Sequence, residues 1–207
     1  MASMALASLK RTARDPALAE YGVAFDADDP ATGKWAADHG VFTAEFGQRL
    51  GWAGHNEYSA ALFERSRGEW VLSWGDDGIM LTSGWDAVIR RQPPGVCYLY
   101  GHPTGHNVFP AVHRSVLEAI GTVLPSPHQD TWLTDVAEAA GCLHRLPGVR
   151  IMEDRFDLTG NNRDAIWEQG SIHAYQNAEY YSEPMAALRA EHAARVKAAL
   201  DGQAVSR

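Results

Sequence analysis

Two adjacent carboxylates follow an apolar run near the middle of the chain. Asp76 and Asp77 come after EWVLSW, residues 69–74, and precede Gly78. Neighbouring like charges repel, so the pair costs free energy unless a cation or a hydrogen-bonding ligand lies beside it. Carboxylate oxygens suit a hard cation such as Mg2+ or Mn2+, which readily shares its coordination sphere with phosphates. The pair therefore favours a site for a metal and a diphosphate, and the competing interpretation is a solvated Asp-Asp-Gly turn.

A second acidic cluster follows another short apolar run. YGVAFDADDP, residues 21–30, predicts a strand followed by Asp26, Asp28 and Asp29 and then a proline. In open α/β sheets, ligands bind beyond the carboxyl ends of the strands. Both acidic clusters are predicted to lie at such ends, and we therefore expect them to share one crevice.

Asp130 is a third carboxylate with two interpretations. It follows LPSPHQ and opens DTWLTDVAEAAG, a predicted helix that is closed by Gly141. As a helix N-cap it would contribute about 1 kcal/mol to stability. As a general base it would accept the proton of an acceptor hydroxyl. The two roles are compatible, and Asp135, one turn along the helix, is the next candidate for the base.

The histidines and the missing nucleotide-binding and catalytic motifs argue against several classes of protein. His102, His106 and His113 surround GHNVFP, but their spacing matches no zinc pattern. His106 and Asn107 are expected to contact a ligand or to face water. The chain has no GxSxG elbow, no P-loop and no GxGxxG motif, so hydrolase, NTPase and dinucleotide-binding interpretations lose support.

Composition indicates an intracellular globular protein. The 207 residues fit one domain with a helical tail, which we place at 1–175 and 176–207. The net charge of -8 disfavours non-specific nucleic-acid binding. Cys97 and Cys142 are isolated, which argues against a disulfide framework and favours a reducing compartment. No run approaches the ~18 apolar residues of a membrane span. We expect a cytoplasmic protein with no membrane partner.

Helical and strand patterns alternate along the chain. This alternation predicts an α/β fold with an open, mostly parallel twisted sheet, flanked by helices and followed by a C-terminal helical tail. Strands are predicted at the start of 21–30 and at 69–74, 96–100 and 149–153, and helices at 5–13, 54–68, 84–92, 113–121, 130–141 and 183 to about 200.

In content and order, these segments resemble the GT-A glycosyltransferases, in particular the small family 2-like members of bacteria and phages. The resemblance spans about residues 5–170. It rests on the ordered series ASLKRTARDPALAEYGVAFDADDP, NEYSAALFERSRGEWVLSWGDDG, GWDAVI, FPAVHRSVLEAIG and HQDTWLTDVAEAAG.

The resemblance implies an enzyme that transfers a sugar from a nucleotide-sugar donor, such as a UDP- or GDP-sugar, to an acceptor hydroxyl with inversion. It implies Asp130 as the catalytic base, and Mn2+ or Mg2+ held by Asp77, Asp76 and Asp154. Contacts to the nucleotide sugar are expected from Asp26, Asp28, Asp29, Asn56, Asp76 and Trp85. Trp132 is a further candidate for packing beside the sugar.

The sequence departs from the family pattern in three places. Gly75 stands where the family's DxD motif has its first acid, and Glu153 and Asp154 stand where a histidine often completes the metal site. The family's first strand should precede ASLKRTA, where few residues remain, so we expect that the strand lies upstream of Met1, is supplied otherwise, or is lost in a degraded relative. The strand and Gly75 departures motivate the alternative of a non-catalytic GT-A-like binding or structural protein. A metal-dependent phosphoesterase is a third interpretation, but the sequence shows no ladder of histidines and acids for a second metal.

Overall fold

The structure is a computed structural model. It describes residues 2–51, 54–101, 107–153, 160 and 177–205. The helices are α1 (Ala2–Thr12), α2 (Pro30–His39), α3 (His55–Arg65), α4 (Trp85–Arg90), α5 (Arg114–Ile120), α6 (Gln129–Ala140), α7 (Asn177–Tyr180) and α8 (Glu183–Val205). The strands are β1 (Gly22–Asp26), β2 (Phe42–Phe46), β3 (Trp70–Leu72), β4 (Gly78–Met80), β5 (Val96–Tyr100), β6 (Ala111–His113) and β7 (Leu143–Glu153).

The described strands form two sheets. β1 and β2 pair in parallel, with Gly22 opposite Phe42 and Asp26 opposite Phe46. The larger sheet has the order β3-β6-β5-β7-β4, in which β5 and β7 are parallel and the other neighbours are antiparallel. The predicted α/β class, with flanking helices and a C-terminal helix, is confirmed. The pairing is more mixed than the mostly parallel arrangement we expected, because the three-residue strands β4 and β6 join the sheet in the antiparallel direction.

Hydrophobic clusters cover both faces of the larger sheet. Val96 packs with residues of α5, α6 and α8, whereas Cys97 and Leu99 pack with α1 and α4. Successive strand residues point to opposite faces, so β5 is buried on both sides and reads as a continuous apolar run. α8 is part of this core, since Ala193 and Val196 are buried against the cluster around α5 and α6.

Helix α1 and one carboxylate hold the two sheets together. Leu6 belongs to the cluster under the small sheet, and Leu9 belongs to the cluster under the large sheet. Glu20, just before β1, accepts hydrogen bonds from the backbone N–H groups of Arg67 and Gly68, just before β3. No strand of the described chain hydrogen-bonds from one sheet to the other.

The predictions from the sequence did not include α2 or β2, which the structure shows. Within α2 only Ala36 is buried, which leaves little helical hydrophobic periodicity. In β2, by contrast, the exposed residues Thr43 and Glu45 flank the buried Ala44, so FTAEF does carry the alternation of a half-buried strand, a short signal that the prediction did not use. Two local signals do mark α2: Asp29 caps its start ahead of Pro30, and Gly40 ends it with a φ of 64°. Among the described helices none is long and apolar enough to cross a membrane. The predicted boundary at residue 175 lies outside the described residues.

Candidate functional site

The Asp76–Asp77 pair forms a tight turn between β3 and β4. The backbone N–H of Gly78 donates to the carbonyl of Gly75 at 3.2 Å, and Trp74 Nε1 donates to the carbonyl of Gly78 at 3.1 Å. Asp76 is exposed and Asp77 is half-buried. β3 ends at Leu72 and not at Trp74 as predicted. The two carboxylates therefore lie on a hydrogen-bonded turn and do not follow directly on the strand.

The two glycines that flank the acids are in close contact with side chains. A Cβ on Gly75 would lie 2.5 Å from Oδ1 of Asp77 and 3.1 Å from the Phe109 ring. A Cβ on Gly78 would lie 2.9 Å from the indole of Trp74, which stacks on Phe109 at 4.7 Å between ring centroids. Gly75 therefore lets the Asp77 carboxylate fold back onto the backbone, at the position where the GT-A motif carries its first acid.

The end of β7 lies beside the acidic turn. Gly78 pairs with Glu153 in the antiparallel β4–β7 ladder, so the buried residue Glu153 is on the strand next to Asp77. Asp154, the third predicted metal ligand, lies outside the described residues. Carboxylate oxygens are the donors that Mg2+ and Mn2+ prefer, so Asp76 and Asp77 fit such an ion chemically. Within the described ranges, however, no three His, Cys, Asp or Glu residues group closely enough to hold a metal.

Asp26 ends β1 and is held by α3 and by the segment after β2. The Tyr58 hydroxyl donates to Asp26 Oδ1 at 2.5 Å. Arg49 approaches Asp26 Oδ2 at 3.8 Å and Asp28 Oδ1 at 3.2 Å. Burial and the hydrogen bond to Asp26 raise the pKa of Tyr58, so its hydroxyl remains a donor at neutral pH. Neither Tyr58 nor Arg49 was among the predicted site residues.

Three residues predicted to bind the nucleotide sugar have structural partners. Asp29 accepts hydrogen bonds from Thr32 Oγ1 at 2.6 Å and Thr32 N at 3.2 Å, and these bonds lower its pKa. Asn56 is buried and donates to the carbonyl of Leu124 at 2.7 Å. Trp85 is 7% exposed and donates through Nε1 to a backbone carbonyl of α1 at 3.2 Å. The Trp85 ring is part of the core, so we do not include it in the proposed site.

Asp130 is the second residue of α6 and does not cap it. The helix begins at Gln129 after His128, and Asp130 Oδ1 accepts from the backbone N–H of its neighbour Thr131 at 2.7 Å. The N-cap interpretation is therefore wrong, whereas the role of general base stays a prediction. Asp130 lies near His55, whose pKa is lowered by burial, and the Asp130 charge opposes that shift.

The position of Asp130 follows from the face of α6 that it occupies. Thr134 accepts from Asn107 Nδ2 at 3.2 Å, and Glu138 accepts from Arg145 at 3.0 Å. Residues four apart share a helix face. Asp130 is thus on the helix face that contacts Asn107 and, through Arg145, the side of β7. Asn107 itself is buried, and its Oδ1 accepts from the backbone of β5 at 3.0 Å, so it joins α6 to the sheet instead of facing ligand or water.

The remaining candidates have structural roles or cannot be placed. Asp135 accepts from the Tyr180 hydroxyl at 2.7 Å and lies 3.8 Å from Arg189, so it anchors the C-terminal segment. His113 caps α5 by accepting from the backbone of Ser115 at 3.3 Å. His102 and His106 lie outside the described residues.

The mixed sheet, the helices on its faces and the C-terminal helix are consistent with a GT-A-like glycosyltransferase fold. Among solved structures, the chain is similar to a mannosyltransferase from Pyrobaculum calidifontis in complex with GDP-Man and Mn2+. The TM-score is 0.58 at 15% sequence identity, over 100% of this chain and 73% of the other. No family model and no curated protein matches the sequence. At this identity, the likeness establishes the fold.

Proposed function

We propose that the protein is a metal-dependent glycosyltransferase of the family 2-like type that uses a nucleotide-activated sugar. The observation that carries the proposal is the acidic turn of Asp76 and Asp77, fixed between two glycines and placed beside the end of β7. The fold is shared with an enzyme whose structure contains GDP-Man and Mn2+. A diphosphate with its cation would relieve the repulsion between the two carboxylates.

In this proposal the two acidic clusters hold different parts of the donor. Asp76 and Asp77, together with Asp154, would hold Mn2+ or Mg2+. When bound, such an ion would supply Lewis-acid stabilisation of the charge on the diphosphate leaving group. Asp26 and Asp28 orient the nucleoside. In the structure without ligand, Arg49 is the counter-ion of both carboxylates.

Asp130 is the proposed general base. Its carboxylate takes the proton of the acceptor hydroxyl while the acceptor oxygen forms a bond to the anomeric carbon. The bond from that carbon to the diphosphate oxygen breaks, and the nucleoside diphosphate leaves with the electron pair. Attack from the face opposite the leaving group gives inversion.

Calorimetry with UDP, GDP and their sugars, with and without Mn2+, tests the metal site. Asp77→Asn should abolish the metal-dependent part of nucleotide binding, because an amide is a much weaker ligand for a hard cation than a carboxylate. Asp201→Asn is the matched control, since Asp201 is an exposed acid that pairs with Lys197 on α8. Binding by Asp77→Asn that equals the parent's, with the same metal dependence, would show that the turn is not the metal site.

The alternative is a GT-A-like protein that binds a ligand without turning it over. The ion pairs that Arg49 makes with Asp26 and Asp28 favour it, because they already neutralise these carboxylates without a bound ligand. Incubation with a bound nucleotide sugar separates the two functions. Release of nucleoside diphosphate, with or without an added acceptor, supports the enzyme. Tight binding with no release supports the binding protein.

A further inference from the structure

We propose that Tyr58 is a positioning residue that fixes the Asp26 carboxylate so that one of its oxygens accepts a hydrogen bond from the nucleoside, through a ribose hydroxyl or a base N–H. The inference rests on the proposed function, because it assigns a role at the nucleoside end of that site. It is carried by the hydrogen bonds on both sides of one phenol and by the packing of its ring.

The direction of the hydrogen bonds at Tyr58 is fixed by chemistry. The backbone N–H of Leu50 lies 3.0 Å from the phenol oxygen, and an amide N–H can only donate. The phenol oxygen therefore accepts from Leu50, and its single proton goes to Asp26 Oδ1 at 2.5 Å. A bond from a hydroxyl to an ionised carboxylate is stronger than one between neutral groups.

The ring of Tyr58 is held in one place by the surrounding elements. Tyr58 is on α3, and the edge of its ring meets Phe46, the last residue of β2, at 4.7 Å and 82°. The phenol thus joins α3, the end of β2 and the Leu50 backbone to the end of β1. A side chain anchored by three segments fixes the carboxylate that it contacts.

Asp26 Oδ2 is the carboxylate oxygen that does not bind Tyr58. Arg49 lies 3.8 Å from it, and the Arg49 side chain is 65% exposed, whereas the Asp26 side chain is 16% exposed. At 3.8 Å the pair makes no hydrogen bond, and Arg49 has open solvent beside it, so a ligand donor can replace Arg49 at modest cost while the Tyr58 contact persists. The site therefore presents one fixed acceptor oxygen, which suits a neutral donor group on the ligand.

Calorimetry with UDP and GDP in the presence of Mn2+ tests this on four proteins: the parent, Tyr58→Phe, Asp26→Asn and the double variant. Tyr58→Phe keeps the ring and removes the hydroxyl, and we expect Kd to rise about tenfold. Asp26→Asn should raise Kd at least as much. The double variant should bind no more weakly than Asp26→Asn, because the phenol acts through the carboxylate. A purely structural role for Tyr58 would give additive losses.

Tyr21→Phe is the matched control. The Tyr21 hydroxyl is buried and has no hydrogen-bond partner within the described part of the chain, so its removal should leave Kd at the parent value. If Tyr58→Phe is too unstable to measure, Phe46→Leu replaces it, since it loosens the ring and keeps the hydroxyl.

The outcomes separate the two proposals. If the parent binds neither UDP nor GDP, nor the cytidine, thymidine and adenosine diphosphates tested beside them, the proposed function falls and this inference falls with it. If the parent binds and Asp26→Asn weakens binding, then a parent-like Kd in Tyr58→Phe, a parent-like Kd in its replacement Phe46→Leu, or additive losses in the double variant overturn the role of Tyr58 alone. A parent-like Kd in Asp26→Asn overturns it too, because the carboxylate would then not touch the ligand.

Discussion

At Gly75, the absence of a side chain determines where the Asp77 carboxylate lies. Oδ1 of Asp77 occupies space next to the Gly75 Cα that any other residue would fill with its own Cβ. The neighbouring Phe109 ring is also in contact, and it is stacked on Trp74, so neither aromatic ring is free to give way easily. The glycine is therefore part of the way in which this turn presents its acids.

Gly75→Ala should weaken Mn2+-dependent nucleotide binding by on the order of tenfold, because the added methyl group displaces Asp77 Oδ1. The same crowding should lower the free energy of unfolding by about 1–2 kcal/mol. Gly202→Ala is the control, since a Cβ there has no neighbour within 4 Å. It should leave binding unchanged and, because Gly202 lies in α8, should leave the free energy of unfolding equal or slightly higher. Calorimetry and urea titration measure the two effects, and unchanged metal dependence in Gly75→Ala would contradict this account of the turn.

Asp130→Asn should keep the fold and lose turnover. Asn can accept from the backbone N–H of Thr131 as Asp does, so stability should change little. It cannot take the acceptor's proton, so turnover should fall by on the order of 10²-fold or more while donor Kd stays near the parent value. Steady-state transfer assays and calorimetry check this, and full activity would leave the base unassigned.

Asp135→Ala provides the opposite pattern. Asp135 accepts from the Tyr180 hydroxyl and lies 3.8 Å from Arg189, so removal of its carboxylate should cost about 1–2 kcal/mol of stability and leave turnover per folded molecule unchanged. The pair of variants therefore separates a catalytic carboxylate from a structural one on the same helix.

Among the elements, the turn after α1 depends on one buried carboxylate of α4. Asp86 accepts from the backbone N–H groups of Arg14 at 2.7 Å and Asp15 at 3.1 Å, and it pairs with Arg90 at 2.9 Å. Burial alone would raise the pKa of Asp86, but these hydrogen bonds and the Arg90 charge outweigh burial and lower it. The position of α1 against the large sheet thus relies on an ionised Asp86.

Asp86→Asn should lower the free energy of unfolding by about 2 kcal/mol, because the amide offers one acceptor where the carboxylate offers two and its NH2 group faces other donors. Asp38→Asn, at an exposed carboxylate paired with Lys34, should change it by no more than about 0.5 kcal/mol. Urea denaturation of both variants makes the comparison. Equal losses of unfolding free energy in the two variants would show that the buried hydrogen bonds of Asp86 stabilise the fold no more than an exposed ion pair does.

Elements with many buried apolar residues were predictable from the sequence, and elements that depend on a partner were not. VCYLY predicted β5 at its observed bounds, Val96–Tyr100. β4 and β6 have three residues each and exist because β7, β5 and β3 pair with them. In the candidate site the acids could be found by type, but the Tyr58 partner of Asp26 lies 32 residues away, a separation that no local pattern encodes.

At the scale of the whole molecule, α8 closes the core through an aromatic and histidine contact. Trp132, expected beside the sugar, is fully buried and donates through Nε1 to His192 Nδ1 at 3.2 Å. His192 is 5% exposed, and burial together with the nearby Arg195 charge lowers its pKa, while Glu191 opposes the shift. The neutral imidazole is therefore the form that fits this interface.

Because of His192, the free energy of unfolding should decrease as the pH is lowered through about 6.5, the usual histidine pKa. The folded-state pKa of His192 is depressed, so the unfolded chain binds the proton first, and this binding lowers the free energy of the unfolded chain relative to the folded chain. His55, with a pKa lowered by burial, acts in the same direction. His192→Gln keeps an acceptor for Trp132 without a titrating ring, so its unfolding free energy should depend less on pH between 7.5 and 5.5, values chosen to bracket about 6.5. Equal slopes in urea titrations would exclude His192 as a source of the dependence.

The contacts between α1 and the β4–α4 region also affect how the chain folds during its synthesis. Ser8 accepts from the backbone of Met80 at 3.0 Å across 72 residues, and Leu9 packs with Trp85. During synthesis, α1 therefore leaves the ribosome long before the residues that cover its Leu9 side. Until Trp85 has emerged, that side remains an exposed apolar surface on the nascent chain, available to chaperones and closed only when β4 and α4 arrive.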